Sequence, residues 1–136
     1  MTDLKTITIL FRATNTLTQE ITHQVNELGL SLSSFMACEA LYHKGALSVA
    51  QLQSKVLIAS SSLSYVIEQL KEKGIINIQH DEKDKRIRLC SLTQRGQNMM
   101  SAVYEKHVSA QRVRLDRLTP HEEILLQHLL KKIGLD

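Results

Sequence analysis

Residues 48–92 read SVAQLQSKVLIASSSLSYVIEQLKEKGIINIQHDEKDKRIRLCSL, and this stretch decides the fold. Ser48 and Gln51 have the spacing of a capping box, in which each side chain meets the other's backbone donor. The short helix that follows carries Val49, Leu52 and Val56. A break at Leu57-Ile58-Ala59 leads into a second helix, Ser60 to Lys73, with Leu63, Val66, Ile67 and Leu70 as its apolar stripe. Gly74 ends it, and Lys71 and Lys73 complement the dipole of its last turn. Ile75 to Gln79 is short and β-branched, which predicts a strand. His80 to Arg86 is a charged tip, and Ile87 to Leu92 alternates as the return strand of a hairpin, with Arg88 outward from Leu89.

Outward from that stretch, the chain reads as helix. Leu4, Ile7, Leu10, Phe11, Leu17, Ile21, Val25 and Leu28 predict a helix over 4–28, stopped at Gly29. Ser31 offers the cap of a second helix bearing Phe35, Met36, Cys38, Leu41 and Tyr42, and Gly45 ends it before an extended Ala46-Leu47 link. Thr93 caps a long helix over roughly 94–116. Thr119-Pro120-His121-Glu122 is a further helix start, with Thr at the cap, Pro at the first position and Glu at the third. The helix it opens bears Ile124, Leu125, Leu126, Leu129, Leu130 and Ile133.

Composition agrees. The chain has 136 residues, 43% hydrophobic and 23% charged, which excludes a disordered chain and suits one domain, or one domain with an appended dimerisation element. One proline and five glycines leave little to break helices or to build catalytic loops. No run of eighteen apolar residues occurs, and MTDLKTITILF lacks a basic leader and a cleavage site. The expected setting is therefore the cytoplasm, where Cys38 and Cys90 stay reduced. Charge is uneven: residues 1–70 hold four bases against five acids, and residues 71–114 hold ten against five. That local surplus points to a polyanionic partner or to a solvated helix face.

A short helix, a tight break, an amphipathic helix and a hairpin with a basic tip make a winged helix-turn-helix. The expected fold is mainly α with a small β-hairpin: a DNA-binding domain over 31–93, and a helical dimerisation region over 1–30 and 94–136. The second helix of the pair must project one face away from the core to enter the major groove. With the apolar stripe turned inward, Ser60, Ser61, Ser62, Ser64 and Tyr65 are left to meet bases or phosphates. Ser60 alternatively only caps, and Tyr65 alternatively packs on the core. In the wing, Lys83, Lys85 and Arg86 suit a minor groove, and Asp84 buttresses them rather than touching DNA. Lys55 and Arg88 read equally as phosphate contacts and as plain solvated residues.

The same residues resemble the multiple antibiotic resistance regulator (MarR) family. Its Asp-x-Arg wing signature and Leu-Thr-x-x-Gly helix start match Asp84-Lys85-Arg86 and Leu92-Thr93-Gln94-Arg95-Gly96, and Leu70-Lys71-Glu72-Lys73-Gly74-Ile75 looks like the end of its recognition helix. The resemblance implies a homodimer interlocked through the first and last two helices. It implies repression at a palindromic operator on double-stranded DNA, relieved by a small effector or an oxidant. It makes Arg86 the minor-groove arginine and Asp84 the residue that orients the wing. Tyr65 stands where an arginine is common, and Ala59 where a polar cap is common, which changes the operator expected rather than the docking mode. Leu41-Tyr42-His43-Lys44-Gly45, Lys55-Val56-Leu57-Ile58-Ala59-Ser60 and the stretch from His128 to Leu135 look like the branch that responds to hydroquinones and catechols.

The family's effector site lies between the dimer helices and the winged domain, which makes Phe11, Phe35, Cys38, Tyr42 and Tyr104 the candidate lining. Each taken singly also reads as ordinary core. Thiol sensing is the alternative mechanism, but redox-sensing members carry their cysteine early in the first helix, where this chain has none. Six histidines invite a metal, yet their spacing is sparse, and no metal or cofactor is expected. No phosphate-binding glycine loop, nucleophile elbow or zinc-protease helix occurs, so an enzyme is not expected. A non-DNA dimeric interaction module is the remaining rival, and the basic wing argues against it.

Overall fold

The computed structural model describes residues 3–56 and 60–135, without the side chains of Ser60 and Ser61. The break at Leu57-Ile58-Ala59 lies outside them. The element order is α1 (Lys5–Asn26), α2 (Leu32–Lys44), β1 (Leu47–Ser48), α3 (Val49–Lys55), α4 (Ser60–Glu72), β2 (Ile76–His80), β3 (Arg88–Leu92), α5 (Gln94–Leu115) and α6 (Pro120–Gly134). The chain forms two compact units that meet within α5, one ending at Ala102 and the other beginning at Val103.

In the first unit, local chemistry sets the helix ends. The Ser31 hydroxyl accepts from the Ser34 N–H at 3.1 Å and opens α2. Ser48 and Gln51 form the expected capping box of α3: Gln51 N–H donates to Ser48 Oγ at 3.0 Å, and Ser48 N–H to Gln51 Oε1 at 2.9 Å. Gly74 closes α4 at φ 73°, a left-handed conformation that costs glycine nothing. Its N–H donates to the Lys71 carbonyl and the Ile75 N–H to the Leu70 carbonyl, which satisfies two end carbonyls of the helix.

The core lies where α2, α3 and α4 meet the sheet. Phe35, Cys38, Leu52, Leu63, Ile67, Leu70, Ile76 and Cys90 are all buried there, and Met100 on α5 is buried as well. Each large apolar side chain so buried contributes about 1.5–3 kcal/mol.

The sheet differs from a plain hairpin. It has three strands in the order β1-β3-β2, all antiparallel. The Ala46-Leu47 link becomes a strand at Leu47–Ser48, because Leu47 pairs with Cys90 and Ser48 with Leu89. Cys90 also stands opposite Ile78, and His80 opposite Arg88. Cys90, not Leu89, is the buried residue of β3. By the period of two, Arg88 therefore shares the face of Cys90 at the outer end of the strand and is half-buried. It does not alternate outward from an inward Leu89.

Helix α1 carries threonine hydroxyls that donate back to carbonyls four residues earlier: Thr14 to Leu10 at 2.9 Å, Thr16 to Arg12 at 3.0 Å, Thr18 to Thr14 at 2.8 Å and Thr22 to Thr18 at 2.7 Å.

In the second unit, Thr119 and Glu122 form the expected capping box and Pro120 takes the first turn of α6. Arg112 near the end of α5 donates to Asp116 and to both Glu123 carboxylate oxygens, tying that end to the start of α6. No described residue of α6 is buried, although Ile124, Leu125, Leu126, Leu129, Leu130 and Ile133 lie along it. Among the described residues, no helix is long and apolar enough to cross a membrane.

Candidate nucleic-acid interface

Two elements of the first unit present polar and cationic groups outward. On α4, Leu63, Val66, Ile67 and Leu70 are buried, which fixes the roll of the helix about its axis. Ser62, Ser64 and Tyr65 are then exposed. Tyr65 is 65% exposed, so packing on the core is excluded. Its phenol oxygen accepts from Gln69 Nε2–H at 2.7 Å. Sequence reasoning passed over Gln69, although a residue four positions on is a neighbour on a helix surface. The side chains of Ser60 and Ser61 lie outside the described residues. Lys55, at the end of α3, is exposed.

The wing is a tightly bonded tip on β2 and β3. One Asp81 carboxylate oxygen accepts from the Lys83 N–H at 3.2 Å and the Asp84 N–H at 3.0 Å. The Asp81 N–H donates to the Ile87 carbonyl, and the Ile87 N–H to the Asp84 carbonyl. His80 Nδ1 lies 2.7 Å from the Lys85 carbonyl, which only accepts, so Nδ1 is the donor in this contact. These bonds leave Lys83, Lys85 and Arg86 exposed on one ribbon.

Asp84 and Arg86 are joined side-on. Arg86 Nε donates to Asp84 Oδ1 and Arg86 Nη2 to Asp84 Oδ2, both at 3.0 Å, and the Arg86 backbone N–H adds a third bond at 3.1 Å. The guanidinium is thus aimed through one edge while the other points to solvent, with its side chain 90% exposed. Arg86 beside Asp84 holds the carboxyl below its usual range, so Asp84 stays ionised against the guanidinium.

The cysteines lie inside. Burial pushes the Cys38 thiol up to about 12. It pushes Cys90 up as well, against the opposing charge of Arg88. Among the described residues, no three His, Cys, Asp or Glu side chains gather where a metal ion would be held.

The expected effector-lining residues are dispersed by environment. Phe35 and Cys38 present almost no surface, Phe11 is 68% exposed, and Tyr42 is half-buried with its hydroxyl 3.4 Å from Ser101 Oγ. Tyr104, half-buried, belongs to the second unit and stacks obliquely near His107. A cleft of about 590 Å³ at the root of the wing is lined instead by Ser48, Gln51, Asp81, Arg86, Ile87 and Arg88.

A helix pair backed by a small sheet, with one exposed helix face and a braced basic hairpin, defines a winged-helix DNA-binding protein. Comparison with known proteins narrows the class. The sequence model of the MarR family matches residues 30–87. MhqR, an HTH-type transcriptional regulator of Bacillus subtilis (strain 168), is 26% identical over 133 residues, 98% of this chain and 92% of its own length. AbsC, a MarR family transcriptional regulator from Streptomyces coelicolor, shares the fold with a TM-score of 0.87 at 22% identity, over 98% of this chain and 94% of its own. NadR in complex with 4-hydroxyphenylacetate shares it with a TM-score of 0.86 at 18% identity, over 100% and 97%. Residues 30–87 thus match the MarR family model, and the relatives that the chain resembles over most of their length are HTH-type transcriptional regulators, which supports a DNA-binding regulatory role.

Proposed function

We propose that the protein is a homodimeric repressor that acts in the cytoplasm. Each protomer lays α4 in a major groove, with Ser60, Ser61, Ser62, Ser64 and Tyr65 toward the bases and phosphates. The wing enters the flanking minor groove with Lys83, Lys85 and Arg86, held by Asp84, while Lys55 and Arg88 contact phosphate. The observation that carries this reading is the Asp84–Arg86 pair, which aims a solvent-exposed guanidinium from the unit whose α4 shows its polar face. A charge spent on folding would be buried or fully paired; this one is braced and left open on one edge.

Residues 1–30 and 94–136 form the dimerisation region in this proposal, and 31–93 the DNA-binding domain. The apolar residues of α6 support it, because no described residue of that helix is buried within the protomer. Two-fold symmetry then calls for a palindromic operator, with half-site centres about 34 Å apart. A small phenolic or quinone-like effector releases the repressor. NadR, with its bound 4-hydroxyphenylacetate, supports that class of ligand. Phe11, Tyr42 and Tyr104 have surface to offer it, whereas Phe35 and Cys38 need an opening of the core. The effector works only through unequal affinity for the DNA-competent and released states.

The test is to incubate the purified protein with sheared DNA from its own source at moderate salt, then recover and sequence the bound fragments. An enriched palindrome is expected. Recovery in proportion to fragment length would reduce the interaction to electrostatics and overturn the reading.

A further inference from the structure

Tyr65 and Gln69 stand one turn apart on α4, joined by the bond from Gln69 Nε2–H to the Tyr65 phenol oxygen. The buried stripe sets the roll of the helix, so the pair lies on an outward flank, three and seven positions beyond the exposed Ser62. A phenol has one hydrogen to donate and, with one lone pair drawn into the ring, one good acceptor position. Gln69 supplies the oxygen with a donor. What Tyr65 has left to offer outward is its hydrogen, made a better donor by the bond its oxygen accepts.

We infer that Tyr65 and Gln69 form one reading unit, in which Tyr65 donates to a keto oxygen in the major groove and Gln69 is the positioning residue that fixes this polarity. The inference rests on the DNA-binding reading above and adds what is read there. At the major-groove edge, guanine and thymine carry a keto oxygen where adenine and cytosine carry an amino group. A hydroxyl committed to donating is satisfied by the first and is set against another donor by the second. Two desolvated donors facing each other leave both unpaired, which is the costly arrangement. The substitutions this unit rejects are therefore guanine to adenine and thymine to cytosine, at one position of each half-site.

Glutamate in place of Gln69 reverses the polarity. A carboxylate only accepts, so the phenol hydrogen turns toward it and the phenol oxygen faces the groove as an acceptor. The base preferred at the same position then changes from keto to amino with ring size unchanged.

The experiment is selection from a randomised double-stranded library by four proteins: the natural chain, Tyr65→Phe, Gln69→Ala and Gln69→Glu. Base preferences are compared within each protein, so the uniform loss caused by a new negative charge near DNA cancels. The natural chain is expected to favour a keto base at one position of each half-site by about ten-fold. Tyr65→Phe flattens that position, Gln69→Ala weakens the preference, and Gln69→Glu moves it to the amino base. Both side chains lie off the core, so all four proteins are expected to melt within a few degrees of one another. An unchanged motif with Tyr65→Phe overturns the inference, whether affinity holds or falls uniformly as for a phosphate contact. A keto preference that persists in Gln69→Glu overturns it too, and does not depend on how Tyr65→Phe folds. If the natural chain enriches no motif, the DNA-binding reading itself fails, an outcome distinct from the others.

Discussion

The Thr93 hydroxyl donates to the Gly74 carbonyl at 2.6 Å and accepts from the Gly96 N–H at 3.0 Å. One side chain thus joins the end of α4, the start of β2 and the first turn of α5. The Thr93 backbone N–H adds a bond to the Ile75 carbonyl at 2.9 Å. The Leu-Thr-x-x-Gly run is therefore a fastening: threonine makes the bonds, and glycine lets α5 come close enough for them.

Gly96 supplies the first prediction. A Cβ there would overlap the Ile75 carbonyl oxygen and come within 3.2 Å of its carbon, both backbone atoms of the neighbouring element. Gly96→Ala is expected to destabilise the protein by about 1–3 kcal/mol, as overpacking does. Thermal unfolding checks it, and an unchanged midpoint would mean that α5 moves aside freely.

Arg86→Ala is expected to weaken operator binding and to make log affinity against log salt shallower by roughly one unit. Asp84→Ala should weaken binding less, since it frees the guanidinium rather than removing it. The double variant should resemble Arg86→Ala alone, because the aspartate acts through the arginine. The carboxyl of Asp84 titrates below its usual value, so the pair is intact above that range and is lost only as pH falls through the lowered value. Binding between about pH 5.5 and 8 should not report Asp84. Titrations of labelled operator at several salt concentrations and pH values test both statements.

Neither thiol should react in the folded protein. Cys38 and Cys90 are buried with raised pKa values, and the thiolate is the reactive form. Iodoacetamide at neutral pH is expected to label neither until denaturant is added. The unfolded chain releases thiol protons near pH 8.5 while the folded chain retains them, so stability declines as pH rises past that value. Stoichiometric labelling of the native protein would revive thiol sensing.

Leu129→Arg on α6 is expected to turn the proposed dimer into a monomer at micromolar concentration, read by sedimentation. The side chain is 44% exposed within the protomer, so the folded monomer loses little packing. A variant that remains dimeric would move the interface away from this helix.

What the sequence disclosed was largely local. Capping boxes at Ser48 and Thr119, the stop at Gly74 and the α4 stripe depend on neighbours within a few positions, and each stands in the structure as read. What it concealed was pairing at a distance. Leu47 becomes a strand because Cys90 lies beside it, forty-three positions away, and the same register turns Cys90 rather than Leu89 inward. Phe11 and Phe35 look alike in a helical pattern, yet one is exposed and the other buried, since periodicity marks a face without saying what covers it. Asp84 was readable as a brace because carboxylate and guanidinium two positions apart in a tight tip have little choice. Gln69 went unread because a glutamine on a solvent face has no signature until its partner's direction is known.

The threonines of α1 have a consequence for how that helix meets a neighbour. Counted by composition it is a polar helix, but the hydroxyls of Thr14, Thr16, Thr18 and Thr22 are already spent on the chain's own carbonyls. A surface pressed against them meets methyl groups and oxygens that can only accept, with no hydroxyl donor calling for a partner across the boundary. Along the flank of Thr14, Thr18 and Thr22 the helix is polar in its letters but has its hydroxyl hydrogens turned inward to its own backbone. It stays wettable when bare and demands no matching hydroxyl when covered.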